Sequence, residues 1–297
     1  MSPESTLHHV VAATDFSPES RRAVDRAAQL AGQAGAALTL VHALASAPFE
    51  ELREWLGFER AGDAIRADAE REIAALATAV GTQHGLSLAT EVRVGRLLDG
   101  ILACAEAREA GLLVFGARGA SRLRRLALGT TAERLLRRSR RPLLVVRRAP
   151  LTPYRRLLLP VDFSPWSDSA IRLARVVAPE AHLCLLHAWE VPFEGKLRLA
   201  GIDSAAIDAH RREAELEAGR LLNLLAAAHG LGENTWTPML VHGEPWSAIA
   251  NVEQSHDIDL VVIGKHGRNV AEELLLGSVT KGVVSESAVD VMVATVA

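Results

Sequence analysis

The chain has 297 residues, 49% of them hydrophobic and 23% charged, with a formal net charge of −3. Nearly half the residues favour burial, which excludes a disordered chain, and the length suffices for two ordinary domains with separate cores. The apolar runs are too short to span a membrane, and Met1–Thr6 lacks the basic and apolar regions of a signal peptide, so a soluble cytoplasmic protein is expected.

Along the chain the hydrophobic period alternates between strand and helix. His9–Thr14 is a short apolar strand. Ser17 then caps a helix whose first position is Pro18, where a missing N–H is harmless, and Ala23, Ala27, Leu30 and Ala31 form its buried stripe. Strand Ala37–Ala43, a helix over Ala61–Val80, a strand ending at Gly95 and a helix through Ile101 to Arg108 follow. Strand Leu112–Phe115 leads into a glycine loop, a helix and a last strand, Leu143–Val146. Arg147–Tyr154, with two prolines and no periodicity, reads as a linker.

The plan then repeats. Leu159-Pro160-Val161-Asp162-Phe163-Ser164-Pro165 echoes Ala12-Ala13-Thr14-Asp15-Phe16-Ser17-Pro18; Leu185-Leu186-His187-Ala188 echoes Leu40-Val41-His42-Ala43; His242-Gly243 echoes Val94-Gly95. A long helix over Ala205–His229 matches the one after Ala61. The expected domains are residues 1–149 and 150–297. Short strands, apolar on both faces and separated by helices, imply a parallel sheet covered on both sides. Each half is expected to be a doubly wound α/β domain with about five strands.

The most specific signal is a glycine spacing present twice. Gly116-Ala117-Arg118-Gly119 is followed, after nine intervening residues, by Gly129-Thr130, and Gly264-Lys265-His266-Gly267 by Gly277-Ser278 at the same interval. Both copies follow an apolar run, which marks a duplicated phosphate-handling loop. In doubly wound sheets ligands sit beyond the carboxyl ends of the strands. Asp15 and Asp162 end the first strand of each half, where a carboxylate can accept ribose hydroxyls. Gly116 and Gly264 end the fourth, where lack of a Cβ allows close approach. Gly129 and Gly277 open the last helix, whose free N–H groups favour an anion. Each feature has a plainer reading: the aspartates can close a turn, and glycines after strands are commonly turn residues. The paired spacing favours a nucleotide pocket. It is neither a P-loop, having no Lys after Gly129 or Gly277, nor a dinucleotide fingerprint, which would follow the first strand.

Other features carry less. Residues 1–150 hold 21 arginines and 17 acids, the remainder 12 bases and 19 acids, and Gly116–Arg148 alone has 11 arginines against Glu133. That stretch lacks interleaved aromatics, so nucleic acid is not an expected partner; a solvated basic face near phosphates is the plainer account. The second copy instead carries Glu272-Glu273, which makes the first site the tighter one at low salt. His8-His9 has no companion at metal-ligand spacing, and His42 and His187 read as hydrogen-bonded parts of the fold. Cys104 and Cys184 lie in unrelated contexts, as buried thiols in a reducing compartment do. No repeated Ser-His-Asp or Cys-His set exists, so neither catalytic residues nor a metal site is expected. Trp166 and Trp189 follow site residues and are read either as flanking the second pocket or as packing over the long helix.

With these motifs the chain resembles the universal stress protein family in its tandem form, from about His8 to Ala294. The glycine spacing is that of the family's ATP-binding branch. The resemblance implies that Ala43 and Ala188 offer backbone groups to adenine and that Asp15 and Asp162 hold ribose. Gly119, Gly129, Thr130 and Thr131 would line one triphosphate, and Gly267, Gly277, Ser278 and Val279 the other. Arg118 and His266, inside the glycine pairs, complete the candidate nucleotide-binding set with Gly116 and Gly264. It also implies strand order 3-2-1-4-5, with the two halves paired through their last strands about a pseudo-two-fold axis. The implied function is a cytoplasmic ATP-binding stress-response or regulatory protein, with ATP bound with or without Mg2+. A homodimer and an unidentified protein partner are compatible with it, and a membrane is not. The alternatives are a nucleotide-dependent hydrolase or transferase and an interaction protein with vestigial pockets. Two departures stand out. Gly111 occupies the place of Asp259, which is expected to alter a turn. Asp290 replaces the residue matching Pro142, placing a charge where the last strand begins.

Overall fold

The computed structural model describes residues 7–45, 61–117, 129–191, 194, 196, 200, 203–267 and 276–295. Two units emerge, residues 1–153 and 154–297. In the first, β1 (His9–Ala13), α1 (Pro18–Ala34), β2 (Ala37–Ala45), α2 (Ala61–His84), β3 (Leu88–Gly95), α3 (Leu97–Ala107), β4 (Leu112–Gly116), α4 (Thr130–Arg138) and β5 (Leu143–Val146) follow in order. The strands lie in the order β3-β2-β1-β4-β5, with parallel pairing throughout. β1 is central, with Val10 opposite Leu38 on one side and Leu112 on the other.

The register places the core where the sequence is most apolar. Val10, Val11, Ala12, Leu112, Leu113, Val114, Leu143, Leu144 and Val145 are fully buried. Burial of successive residues means that both faces are covered. Helices α1 and α2 pack together, as do α3 and α4. Burying a Val or Leu side chain stabilises by about 1.5–3 kcal/mol. The outer strand β3 is only half-buried along its length. The weight of stabilisation therefore lies in the central strands, whose carboxyl ends become a stiff rim. Ser17 caps α1, its Oγ accepting from Ser20 N at 3.2 Å, and Pro18 occupies the first turn.

The second unit repeats the plan: β6 (Arg156–Pro160), α5 (Pro165–Val177), β7 (His182–Trp189), α6 (Ser204–Ala228), β8 (Trp236–His242), α7 (Pro245–Ser255), β9 (Leu260–Gly264), α8 (Ser278–Glu286) and β10 (Asp290–Ala294). Its strand order is β8-β7-β6-β9-β10, again parallel. Residues 147–154 form neither helix nor strand. Among the described residues no helix is long and apolar enough to cross a membrane.

Both sequence departures do more than expected. Asp259 does not merely alter a turn: its Oδ2 accepts from Arg155 N at 2.8 Å and Arg156 N at 3.0 Å, fixing the start of β6. In the first unit Gly111 meets Leu7 instead; a Cβ there would stand 3.0 Å from Leu7 Cδ1. Asp290 is 1% exposed, and Tyr154 Oη donates to its Oδ2 at 2.6 Å. A buried carboxylate requires such a donor.

Candidate functional site

Each first strand ends in the same turn. Asp15 Oδ1 accepts from Ser17 N at 3.1 Å and Ser17 Oγ at 2.5 Å. Asp162 Oδ1 accepts from Ser164 N at 3.1 Å, Ser164 Oγ at 2.6 Å and Ser167 Oγ at 2.9 Å. The turn-closing role of both aspartates is therefore real. Between them and the serines, Phe16 and Phe163 sit at φ 62° and 60°, a region that residues with a Cβ rarely occupy. Each ring rests on an imidazole, with centroids 4.4 Å apart for Phe16 and His42 and 4.5 Å for Phe163 and His187. The imidazoles are themselves anchored, Nδ1 of His42 donating to Thr14 O and Nδ1 of His187 to Val161 O, both at 2.8 Å. These histidines brace the turns, as the sequence suggested.

The last helix of each unit opens beside this turn. Gly129 N donates to Ala117 O at 3.0 Å and Gly277 N to Lys265 O at 3.1 Å, so both helices start against the end of the fourth strand. The glycines carry no side chain to cap the first N–H groups of α4 and α8. Those groups face the neighbouring space, with Thr130 and Ser278 exposed beside them.

A cavity lies at this position in each unit. The first, of about 200 Å3, is lined by Asp15, Ala43, Gly116, Gly129, Thr130 and Thr131. The second, of about 340 Å3, is lined by Asp162, Ala188, Gly264, His266, Gly267, Gly277, Ser278 and Val279. Every described candidate thus borders its own cavity; Arg118 and Gly119 lie outside the described residues. The sequence reading missed the apolar walls, Leu97 and Ile101 on α3 in the first unit and Pro245 and Ile249 on α7 in the second. Their i, i+4 spacing puts each pair on one helix face, a signal present in the sequence.

The structure refines several readings. Gly264 borders the cavity and also has a packing reason to be glycine: a Cβ there would stand 2.6 Å from Trp166 Cβ and 3.2 Å from Trp166 O, so the first turn of α5 demands it. A Cβ on Gly267 would stand 2.8 Å from Asp162 Oδ2. Of the two tryptophans, Trp166 borders the second cavity, edge-on to His266 at 4.6 Å. Trp189 does not; adjacent residues of a strand face opposite sides, and its ring meets His242 at 4.7 Å on the α6 side. Among the described residues no Lys or Arg lines either cavity. Arg138 pairs with Asp99 at 2.7 Å, Arg141 with Glu106 at 3.0 Å and Arg137 with Glu133 at 3.0 Å. Glu272 and Glu273 lie outside the described residues. Among the described residues, the anion-favouring groups of the cavities are backbone N–H groups and hydroxyls, with the His266 imidazole beside them in the second. Burial, helped by the Glu91 carboxylate, pushes the Cys104 thiol up to about 12, and burial raises Cys184 too. Neither is a nucleophile at neutral pH.

The model of the universal stress protein family matches residues 6–147 and again 153–295. A universal stress protein of Mycolicibacterium smegmatis is 29% identical over 312 residues, covering 99% of both chains. The crystal structure of a universal stress protein from Archaeoglobus fulgidus covers 97% of this chain and 98% of its own, with TM-score 0.72 and 18% identity. A universal stress protein solved in complex with cAMP is 30% identical, covering 48% of this chain and 98% of its own with TM-score 0.34.

Proposed function

The chain belongs to the universal stress protein family, and from that membership we propose that each half is an adenine-nucleotide site serving a stress-response or regulatory role in the cytoplasm. One observation carries the reading: in both units a strand-end carboxylate, the glycines that end the fourth strand and open the last helix, and an uncapped helix N-terminus border a single cavity with an apolar wall. Such a wall suits a purine, the carboxylate suits ribose hydroxyls, and the helix N-terminus suits phosphate.

The ligand that fits best is ATP. Asp15 and Asp162 would hold ribose, the backbone at Ala43 and Ala188 would meet adenine, and Thr130, Thr131, Ser278 and Val279 would face the phosphates. Mg2+ would enter on those phosphates, since no group of three or more His, Cys, Asp or Glu side chains among the described residues is arranged to hold a metal. The role is binding rather than turnover. His42 and His187 are committed to backbone carbonyls, and both thiols are held protonated by burial. A protein partner would then read the bound state.

The test is calorimetry of the purified full chain with ATP, and with cAMP as the second probe, after extraction and mass analysis of any carried nucleotide. Two ATP sites per chain are expected. A nucleotide-free chain that binds neither probe overturns the reading.

A further inference from the structure

One buried bond of the second cavity has no counterpart in the first. Thr280, 3% exposed, donates its Oγ1 proton to the carbonyl of Gly264 at 2.8 Å. The matching residue of the first unit is Ala132, 4% exposed, which has no hydroxyl to give. We propose that Thr280 is a positioning residue that holds the second cavity ready for its ligand and makes it the tighter of the two sites. This inference rests on reading both cavities as nucleotide sites.

The chain leaves β9 at Gly264 and returns at Gly277 to open α8. In the second unit that return is pinned at two points, Gly277 N to Lys265 O at 3.1 Å and Thr280 Oγ1 to Gly264 O. In the first, among the described residues, the matching backbone bond runs from Gly129 N to Ala117 O at 3.0 Å, and Ala132 supplies no second one. One bond fixes the distance of the helix from the strand end; a second, one turn further on, fixes its rotation as well. The uncapped N–H groups of α8 are then aimed before a ligand arrives, and less ordering is needed on binding. Thr280 also borders the cavity. With its proton given to Gly264, the hydroxyl presents only lone pairs to an anion, so its contribution comes through the helix rather than through contact. This ordering of affinities reverses the charge-based expectation, whose described arginines pair with Glu133, Asp99 and Glu106.

The test uses full-length chains in which one cavity is closed to phosphate by a carboxylate at its helix N-terminus: Thr130→Glu leaves the second site, Ser278→Glu the first. In the Thr130→Glu chain, Thr280→Val should weaken ATP about fivefold, the worth of one neutral hydrogen bond, and Thr280→Ser should restore affinity. In the Ser278→Glu chain, Ala132→Thr should tighten ATP by a similar factor. Unchanged affinity in Thr280→Val, or a Thr280→Ser chain as weak as Thr280→Val, overturns the proposal while leaving the nucleotide reading intact. If Thr280→Val does not fold, a folded Ala132→Thr chain that binds no tighter overturns it instead. A Thr130→Glu chain that binds no ATP at all overturns the nucleotide reading of the second cavity and this proposal with it.

Discussion

Trp166 and Gly264 approach so closely that a Cβ on the glycine would stand 2.6 Å from the tryptophan Cβ. The obstruction is near backbone, not the tip of a flexible side chain, so Gly264→Ala must push α5 away from the end of β9. A loss of about 1–3 kcal/mol of stability is expected, as for other overpacked sites. Gly277→Ala is the control, since its nearest neighbours lie at 3.5 Å, an ordinary contact. Denaturant unfolding of both variants settles the matter: equal stability for the two would show that the close approach is not a constraint.

Asp162 has a structural role separable from its charge. Its Oδ1 accepts three hydrogen bonds within the turn. Asp162→Ala should lose about 1–2 kcal/mol of stability together with ATP binding at the second site. Asp162→Asn keeps an acceptor at that position, so most stability should remain while affinity falls. Thermal unfolding and calorimetry on the same samples separate the effects; an Asp162→Ala chain as stable as the parent would sink the argument.

Of Trp166 and Trp189, only Trp166 should report ATP. Trp166 borders the cavity and Trp189 faces away from it. Fluorescence titration of Trp166→Phe should lose most of the ATP-dependent change, whereas Trp189→Phe should retain it. The opposite pattern would place the ligand on the α6 side of the sheet.

The cap of α7 should make stability depend on pH. Glu244 accepts from Trp246 N at 3.0 Å and Ser247 N at 2.8 Å, and these bonds hold its carboxyl below the usual glutamate range. The folded pKa is depressed, so the contribution is present above the unfolded value and lost as pH falls through the folded one. Because the residue is exposed, about 0.5 kcal/mol is expected. Unfolding curves between neutral and acid pH should show a shallower loss for Glu244→Gln than for the parent. Parallel curves would remove the cap from the account.

What was legible in the sequence was whatever depends on neighbours along the chain. Pro18 and Ser17 announce the start of α1, Leu143–Val146 is a strand with the bounds expected, and the repeated glycine spacing leads to the two cavities. What was not legible depends on partners distant in sequence or on geometry that residue type does not encode. The need for glycine at 264 comes from Trp166, and the buried carboxyl of Asp290 meets the hydroxyl of Tyr154, far away in sequence. The positive φ of Phe16 belongs to the turn that Asp15 and Ser17 close, but the imidazole of His42 beside its ring comes from a strand distant in sequence. Of the two readings left open for Trp189, the structure selects packing toward the long helix, because strand alternation separates it from Ala188. The basic face was read as solvated because the partners of Arg138 and Arg141, Asp99 and Glu106, lie on another helix.

The alternation at the end of β7 also bears on how the second unit reaches its final form. β7 pairs with β6 so that Leu186 stands opposite Pro160, and this alignment turns Ala188 toward the cavity and Trp189 away from it. A slip of one residue would exchange them and drive an indole into the opening. The small side chain of Ala188 thus acts as a keyhole for chain alignment, and a misaligned molecule blocks itself. Any ligand of that cavity recognises only correctly aligned molecules. Its presence during refolding would pull the population toward them by mass action.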